Sequence, residues 1–146
     1  MATFSRYAVL DWFGDVMHGS GTVAGGTAAF TVPASFPRVV GEAPGVTTPE
    51  ELLAASHAVC FGIGLRSVIG RRGGRARRVT VQATVTAEKG PHGIRIQSSH
   101  LHCVVDGLEG IEDARLQEIA RATEEGCTIS NAIRASVAIT HEVTAT

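Results

Sequence analysis

The most constraining feature of the sequence is a long apolar segment, residues 48–69, which carries the start signals of a helix. Thr48 is a good N-cap, Pro49 falls on the first helical position, and Glu51 completes a Thr-x-x-Glu capping box. The stretch LLAASHAVCFGIGL that follows has only a serine and a histidine as polar side chains. Because a helix that is apolar on nearly every side is typically buried, we predict a central core helix that ends at Gly70.

The remaining segments predict short strands and one further helix. Apolar alternation and glycine-rich turns predict strands within residues 6–13, 22–23, 27–32, 79–87, 94–105 and 134–143, a bulge near Ser98 and Ser99, and a helix over 113–125 that ends at Gly126. Residues 33–47, rich in proline and glycine, predict a loop long enough to be functional. This order predicts an α+β fold, with antiparallel strands packed against the buried helix, in a single domain of residues 1–146.

The charge balance and hydropathy of the chain exclude some classes of partner. Thirteen basic residues against 14 acidic residues leave a formal net charge of −1, whereas a nucleic-acid-binding domain usually carries a basic excess. No apolar run approaches the roughly 18–20 residues of a membrane span, and the N-terminus lacks the pattern of a signal peptide. These features predict a soluble cytoplasmic domain that binds neither nucleic acid nor membrane.

The chain has three cysteines, Cys60, Cys103 and Cys127, and their odd number and wide spacing are a poor basis for a disulfide framework. A free thiol in a reducing compartment is either a small buried hydrophobe or a reactive group. Cys60 lies in the predicted central helix, and Cys127 follows the glycine at which the second helix ends. Both interpretations stay open for these two cysteines, whereas Cys103 lies within a strand and is expected in the core.

Histidines and an arginine-rich segment are further candidates for chemistry. His57 precedes Cys60 by about one helical turn, where it could lower the thiol pKa or be a satisfied core residue. His100 and His102 point to the same side of a strand and could form a zinc site with one of the cysteines. Residues 66–78 hold six of the 13 basic residues, a pattern compatible with a phosphate-binding patch but more typical of a solvated loop.

Three segments resemble the OsmC/Ohr family, the osmotically inducible and organic-hydroperoxide-resistance thiol peroxidases of bacteria. WFGDVMHGSG (12–21) is similar to the family's W-x-G-D-x-x-x-G-x-G hairpin. TTPEELLAASHAVCF (47–61) resembles its T-N-P-E-E-L-x-x-A-x-x-A-x-x-F helix, with a cysteine before the phenylalanine. EGCTISNAI (125–133) is similar to its G-C-P-V-S-x-x-L segment, and together the three segments span nearly the whole chain in the family's order. The histidine at 57 and the glycine at 126 resemble the OsmC branch more than the Ohr branch.

The resemblance implies roles for four residues of this chain. Cys60 matches the peroxidatic cysteine and Cys127 the resolving cysteine, while Arg38 matches the arginine before the central helix and Glu50 the first glutamate of its Pro-Glu-Glu step. One departure is Thr128, which replaces the usual proline after the resolving cysteine and could loosen that turn.

The chemistry of peroxide reduction asks for these residue types independently of the resemblance. A thiolate attacks one peroxide oxygen and becomes a sulfenic acid, which condenses with a second cysteine to give a disulfide that an external dithiol reduces. Because burial raises a thiol pKa, a guanidinium beside the sulfur is needed to favour the thiolate, and a glutamate can orient that guanidinium.

As a whole, the resemblance implies a thiol-dependent peroxidase that reduces organic hydroperoxides to alcohols in stress defence. It implies an OsmC-like fold, with antiparallel sheets around a buried central helix in an intertwined homodimer, and a lipoyl-type dithiol as reductant, with no cofactor or metal. Glu50 and Cys60 lie ten residues apart on the predicted helix, about 15 Å of rise, so Glu50 and Arg38 are expected to act on the partner's Cys60 in a composite site. Two alternatives stay open: a non-enzymatic ligand-binding or stress protein on the same fold, and a Cys/His metal-site protein.

Overall fold

The computed structural model describes residues 1–36 and 44–146, and its helices and strands follow in the order β1 (Ala8–Phe13), β2 (Ser20–Gly25), β3 (Thr31–Ala34), α1 (Pro49–Arg71), β4 (Arg78–Gly90), β5 (Gly93–Asp106), α2 (Asp113–Gly126), α3 (Thr128–Ile133) and β6 (Ala138–Ala145). The chain divides between Leu52 and Leu53, at the start of α1, into two compact units. The predicted α+β class is therefore confirmed, and α3 is a helix that the sequence analysis did not anticipate.

The first unit contains an antiparallel sheet with the strand order β1-β2-β3. Trp12 pairs with Gly21 in the register of β1 and β2. Its indole Nε1–H donates to the carbonyl oxygen of Gly14, 3.1 Å away, and so closes the turn between the two strands. A Cβ at Gly21 would lie 2.6 Å from the Trp12 ring, which explains why this position needs glycine. The hairpin predicted around residues 12–21 is confirmed.

The second unit contains a sheet with the order β4-β5-β6, and here one prediction is wrong. Strands β4 and β5 are antiparallel, but β5 and β6 pair in parallel, with Ser99 opposite Ile139. The reason is that α2 and α3 lie between β5 and β6 in the chain and carry it back to the starting edge, as a crossover connection does. The sheet is therefore mixed rather than antiparallel.

Within the single chain, helix α1 buries one stripe of its surface, whereas its apolar sequence predicted a helix buried on nearly every side. The buried residues, His57, Phe61, Leu65 and Ile69, recur every four positions. They pack with the inward residues of β5 and α2, such as Leu101 and Leu116. On other faces of α1, the large apolar side chains of Val59 and Ile63 are exposed within the single chain.

By length and mean hydropathy, α1 is the one helix in the described ranges that could span a membrane, because an 18-residue window reaches a mean hydropathy of 1.6. The expectation that no apolar stretch approaches that length is therefore wrong. Phe61, Leu65 and Ile69 of α1 belong to the hydrophobic core of the second unit, however, which makes α1 a core helix.

Helix α1 ends at Arg71, beyond the predicted stop at Gly70. The N–H of Gly74 donates to the carbonyl of Ile69 at 2.9 Å, and the N–H of Gly73 donates to the carbonyl of Gly70 at 3.1 Å. This pair of bonds is a Schellman motif, in which Gly73 takes the left-handed conformation with φ of 82°. Gly70 instead lies inside the last turn.

The bulge predicted near Ser98 and Ser99 is present one residue earlier on β5. Thr86 pairs with Ser98 and the next residue of β4 pairs with Ile96, so Gln97 is the extra residue. An extra residue reverses the alternation of side chains. As a result Ser99, together with Leu101, faces the core, and a hydroxyl is buried there.

Candidate active site

Cys60 and Cys127 lie side by side in the second unit. Cys60 is on the middle turn of α1 and is partly exposed, while Cys127 is buried in the junction where α2 ends and α3 begins. The Cys127 thiol interacts directly with the Cys60 sulfur, and both thiols are free. The structure therefore brings together the two cysteines to which the sequence analysis assigned the attacking and resolving roles.

The pKa of the Cys60 thiol is lowered although its surroundings are partly buried. Burial raises this pKa, but the backbone N–H of Ile129, the Cys127 thiol, and the N–H and hydroxyl of Thr128 together lower it by more. These N–H groups are the free donors at the start of α3, where no main-chain acceptor is available to them. Cys127 is the N-cap of α3, and the N–H groups of the two residues after it, Thr128 and Ile129, are directed toward the Cys60 sulfur.

The pKa of the Cys127 thiol shifts in the opposite direction. Burial raises it, and the neighbouring Cys60 sulfur raises it further because a second negative charge beside a thiolate is unfavourable. The backbone N–H and the hydroxyl of Ser130 oppose the rise without cancelling it. Cys60 is thus the thiol that ionises first, and Cys127 stays protonated and can donate to it.

His57 contacts Ser130, the neighbour of Cys127, on one side and Ser99 of strand β5 on the other. Its Nε2 lies 2.8 Å from the Ser130 hydroxyl and its Nδ1 lies 2.7 Å from the Ser99 hydroxyl, and all three side chains are fully buried. Burial lowers the pKa of His57 below its usual 6.5, against an opposing effect of the Glu124 carboxylate. His57 is therefore a neutral imidazole at pH 7, with one nitrogen left to accept a proton.

Glu124 is a buried carboxylate at the end of α2, close to the imidazole of His57. Arg134 pairs with it at 2.9 Å, and the same guanidinium donates to the Glu124 carbonyl and to the side chain of Asn131. Because Glu124 Oε1 has no aligned hydrogen bond, the contact is an ion pair. Arg134 thus ties the end of α2 to α3 and holds the turn that carries Cys127.

Of the other predicted site residues, Glu50 lies apart from the cysteine pair, and Arg38 is not among the residues that the structure describes. Glu50 is in the first turn of the same continuous helix as Cys60, about 15 Å away along the axis. Cys103 is fully buried on β5, and burial raises its thiol pKa to about 11, as expected of a core cysteine.

The histidines of β5 do not join the cysteines. His100 and His102 alternate with the core-facing residues of β5, so they lie on the opposite face of the sheet from Ser99. His100 Nδ1 instead contacts the Thr140 hydroxyl at 2.6 Å. Within residues 1–36 and 44–146, no group of His, Cys, Asp and Glu side chains is arranged to hold a metal ion.

Sequence reasoning missed the two serines and the N–H donors of α3. A signal for Ser99 was the break in alternation at the bulge, which turned a serine toward the core. A signal for Ser130 was its position three residues after Cys127, where a side chain in the first turn of a helix lies close to the N-cap.

The sequence and fold of the chain are similar to those of several known proteins. Residues 42–142 match the OsmC family, described as OsmC-like protein. The chain is 29% identical over 143 residues to Peroxiredoxin OsmC of Escherichia coli (strain K12), covering 97% of this chain and 98% of that protein. A crystal structure of an organic hydroperoxide resistance protein OsmC from Legionella pneumophila matches with a TM-score of 0.78 and 25% identity, over 99% of both chains. An organic hydroperoxide resistance protein from Elizabethkingia anophelis shares the fold, with a TM-score of 0.79 and 22% identity over 99% of both chains. The chain belongs to the OsmC-like protein family.

Proposed function

We propose that this protein is a thiol peroxidase that reduces organic hydroperoxides to alcohols, with Cys60 as the peroxidatic and Cys127 as the resolving cysteine. The observation that carries the proposal is the opposite shift of two adjacent thiols: the pKa of the more exposed Cys60 is lowered and that of the buried Cys127 is raised. A pair of structural cysteines has no need of this difference. A peroxidase needs it, because one thiol must attack as a thiolate while the other waits.

In the first step the Cys60 thiolate attacks one oxygen of the peroxide. The O–O bond breaks, the distal oxygen leaves as an alkoxide that takes up a proton to become the alcohol, and Cys60 becomes a sulfenic acid. Ile63 lies about one turn beyond Cys60 on the same side of α1 and is 69% exposed. An apolar side chain in this position favours an alkyl hydroperoxide over hydrogen peroxide.

In the second step Cys127 attacks the sulfenic sulfur, and water and a disulfide between Cys60 and Cys127 are formed. Because the two thiols already interact, the reaction needs little rearrangement. An external dithiol of the lipoyl type then reduces the disulfide by exchange and returns both cysteines to thiols. The cycle requires no cofactor.

A homodimer with composite sites would bring Glu50 of one subunit to the Cys60 of its partner. Glu50 and Cys60 are fixed ten residues apart on one helix, so Glu50 cannot orient a guanidinium against its own Cys60. Large apolar side chains are exposed in each unit, Phe4, Tyr7, Phe13 and Met17 in the first and Val59 and Ile63 in the second. Exposed apolar surface of this kind marks an interface. We assign Glu50 and Arg38 of one subunit to the Cys60 of its partner.

The direct test is a stopped-flow experiment on the fully reduced protein with cumene hydroperoxide. The expected result is rapid formation of one sulfenic acid per chain, followed by loss of both thiols as the disulfide forms. Hydrogen peroxide should react more slowly than the bulky alkyl peroxide. A reduced protein that leaves both peroxides intact would instead support a non-enzymatic stress or ligand-binding protein on the same fold.

Replacement of single cysteines separates the two steps. Cys60→Ser should abolish peroxide consumption, whereas Cys127→Ser should consume one equivalent per chain and then stop with a stable sulfenic acid, detectable by mass spectrometry. Cys103→Ser is the matched control, because Cys103 is a buried core thiol with a pKa of about 11. Turnover by Cys60→Ser, or its loss in a folded Cys103→Ser protein, would contradict the assignment.

A further inference from the structure

We infer that His57 is the proton acceptor for the resolving cysteine and that it acts through the hydroxyl of Ser130. The inference rests on the proposed function for the identity of its substrate, the Cys60 sulfenic acid. Cys127 must lose a proton to attack, yet its thiol is buried, and its neighbours keep it protonated. A base is therefore needed on the interior side of Cys127, away from solvent.

The contacts around Ser130 provide a continuous path to such a base. The Ser130 hydroxyl lies beside the Cys127 sulfur and 2.8 Å from His57 Nε2. A hydroxyl can accept a proton on one side while it donates its own on the other. The Ser99 hydroxyl, 2.7 Å from Nδ1, accepts the N–H of the neutral imidazole and leaves Nε2 free to accept. Ser130 and His57, both fully buried, thus form a path from the Cys127 thiol to a base.

The charged and titratable groups around the path favour proton transfer to His57. The Glu124 carboxylate is the charged group that acts on His57, and it stabilises the imidazolium that forms. Arg134 pairs with Glu124 at 2.9 Å and holds that carboxylate in place. At the other end, Cys60 and Cys127 are the titratable groups, and Cys60 no longer carries a thiolate charge once it is a sulfenic acid.

Formation of the disulfide from the Cys60 sulfenic acid moves one proton along this path. The Cys127 thiol proton passes to Ser130 while the Ser130 hydroxyl proton passes to His57, and the resulting thiolate attacks the sulfenic sulfur of Cys60. The sulfur–sulfur bond forms and the sulfur–oxygen bond breaks, with its electron pair on the departing hydroxide. The hydroxide and the proton returned by His57 make one water. The Cys60 sulfur is reduced and the Cys127 sulfur is oxidised, so no outside oxidant is required.

A peroxide-independent assay isolates this step in the full-length protein. One equivalent of dithiobis-nitrobenzoate should react with Cys60 and release a first coloured thiolate. Attack of Cys127 on the mixed disulfide then releases the second. In His57→Gln the second release should slow by roughly 100-fold near neutral pH, the low end of general-base effects. The wild-type rate should rise as the pH passes the lowered pKa of His57 and then level off, whereas the variant rate should keep rising into the alkaline range.

Two serine variants make the test independent of whether His57→Gln folds. Ser130→Ala should slow the second release and show the same alkaline pH profile, because the path is cut. Ser99→Ala removes the acceptor of the Nδ1–H of His57 but leaves Ser130 between Cys127 and His57, so its second release should slow less than that of Ser130→Ala and should still level off as the pH rises. A wild-type profile in Ser130→Ala would overturn the inference. So would equal slowing of both releases in all variants, which is the result expected of a purely structural network.

The same experiment distinguishes failure of the inference from failure of the proposed function. If cumene hydroperoxide leaves Cys60 unoxidised while the two releases and their pH profiles are as expected, the peroxidase proposal is wrong and the relay stands. If the peroxide forms a sulfenic acid and the second release does not depend on His57 or Ser130, the relay is wrong.

Discussion

At the scale of single residues, the Cys60 and Cys127 thiols differ because of what surrounds each sulfur. Burial disfavours both thiolates, but the Ile129 N–H, the Cys127 thiol and Thr128 more than offset it at Cys60, whereas at Cys127 Ser130 does not offset burial and the neighbouring Cys60 sulfur. The sequence analysis assigned the lowering of the Cys60 pKa to a guanidinium. Within the described residues, the lowering comes instead from Ile129, Thr128 and Cys127 of the same chain.

Thr128 offers a test of this account. Cys127 has φ of −71° and ψ of 121°, the extended conformation that a residue before proline prefers, and Thr128 is the first residue of α3. Thr128→Pro should therefore fold but remove both the N–H and the hydroxyl that act on Cys60, and raise the Cys60 pKa. Thr128→Val removes the hydroxyl alone and should raise it less. The pH dependence of Cys60 alkylation by iodoacetamide, measured in a Cys127→Ser background without the competing thiol, gives both values.

The Thr128 substitutions are also expected to slow the reaction of Cys60 with peroxide. A higher Cys60 pKa means less thiolate at pH 7 and slower oxidation by peroxide, with the difference shrinking at alkaline pH, where every variant is ionised. If Thr128→Pro alkylates with the same pH profile as its parent with Thr128, the Thr128 N–H and hydroxyl do not activate Cys60, and the lowering is left to the Ile129 N–H and the partner's guanidinium.

At the scale of elements, the end of α1 depends on two glycines with opposite requirements. Gly73 holds a left-handed φ of 82° in the Schellman motif, whereas Gly70 lies within the helix, and a Cβ there would meet nothing within 4 Å. Glycine is needed at the first position and is a source of unfolded-state entropy at the second.

The two glycines predict opposite effects of the same substitution. Gly73→Ala should destabilise the protein by about 1–2 kcal/mol, the penalty for a left-handed residue with a side chain. Gly70→Ala should stabilise it by roughly 0.5–1 kcal/mol, since alanine is the better helix former. Urea unfolding of the reduced protein measures both. Destabilisation by Gly70→Ala together with tolerance of Gly73→Ala would place the helix end at Gly70 after all.

At the scale of the whole molecule, the proposed dimer needs some site residues from one chain and others from its partner. Cys60, Cys127, His57 and Ser130 come together within one chain, in its second unit. Glu50, in contrast, is separated from its own Cys60 by the length of ten helical residues. In such a dimer resolution takes place within a subunit, and activation of Cys60 needs the partner.

Mixing of inactive subunits tests this division. Cys60→Ser and Glu50→Ala proteins, refolded together, should form heterodimers in which one site pairs an intact Cys60 with an intact Glu50. Each heterodimer should recover up to half of the wild-type activity, because one of its two equivalent sites is complete. Cumene hydroperoxide turnover, with heterodimer content verified by mass spectrometry, measures the recovery.

A second pair of subunits provides the control. Cys60→Ser mixed with Cys127→Ser should recover nothing, because neither chain keeps both cysteines and the pair lies within one chain. Recovery in this control would mean that the disulfide forms between subunits. No recovery of the Glu50 pair despite proven heterodimers would remove Glu50 from the partner's site.

Local interactions explain why several element boundaries could be predicted from the sequence. The start of α1 at Pro49, the positions of β4 and β5, and α2 from Asp113 follow from capping residues, alternation and glycines. All of these act over a few neighbouring positions. The choice of Cys60 and Cys127 also came from the sequence, through motifs whose flanking residues are adjacent to each cysteine. The roles of Arg38 and Glu50 came from the same motifs and remain predictions.

The buried face of α1, the parallel pairing of β6 and the partners of each thiol depend on contacts between distant segments, which the sequence pattern does not show. His57 meets Ser99 and Ser130 across 42 and 73 positions of sequence, and the bulge at Gln97 decides that Ser99 faces inward. A thiol pKa depends on the sum of burial and a few directed dipoles, and these come from distant segments. Cys60 and Cys127 therefore acquired opposite pKa shifts only when α3 was placed against α1.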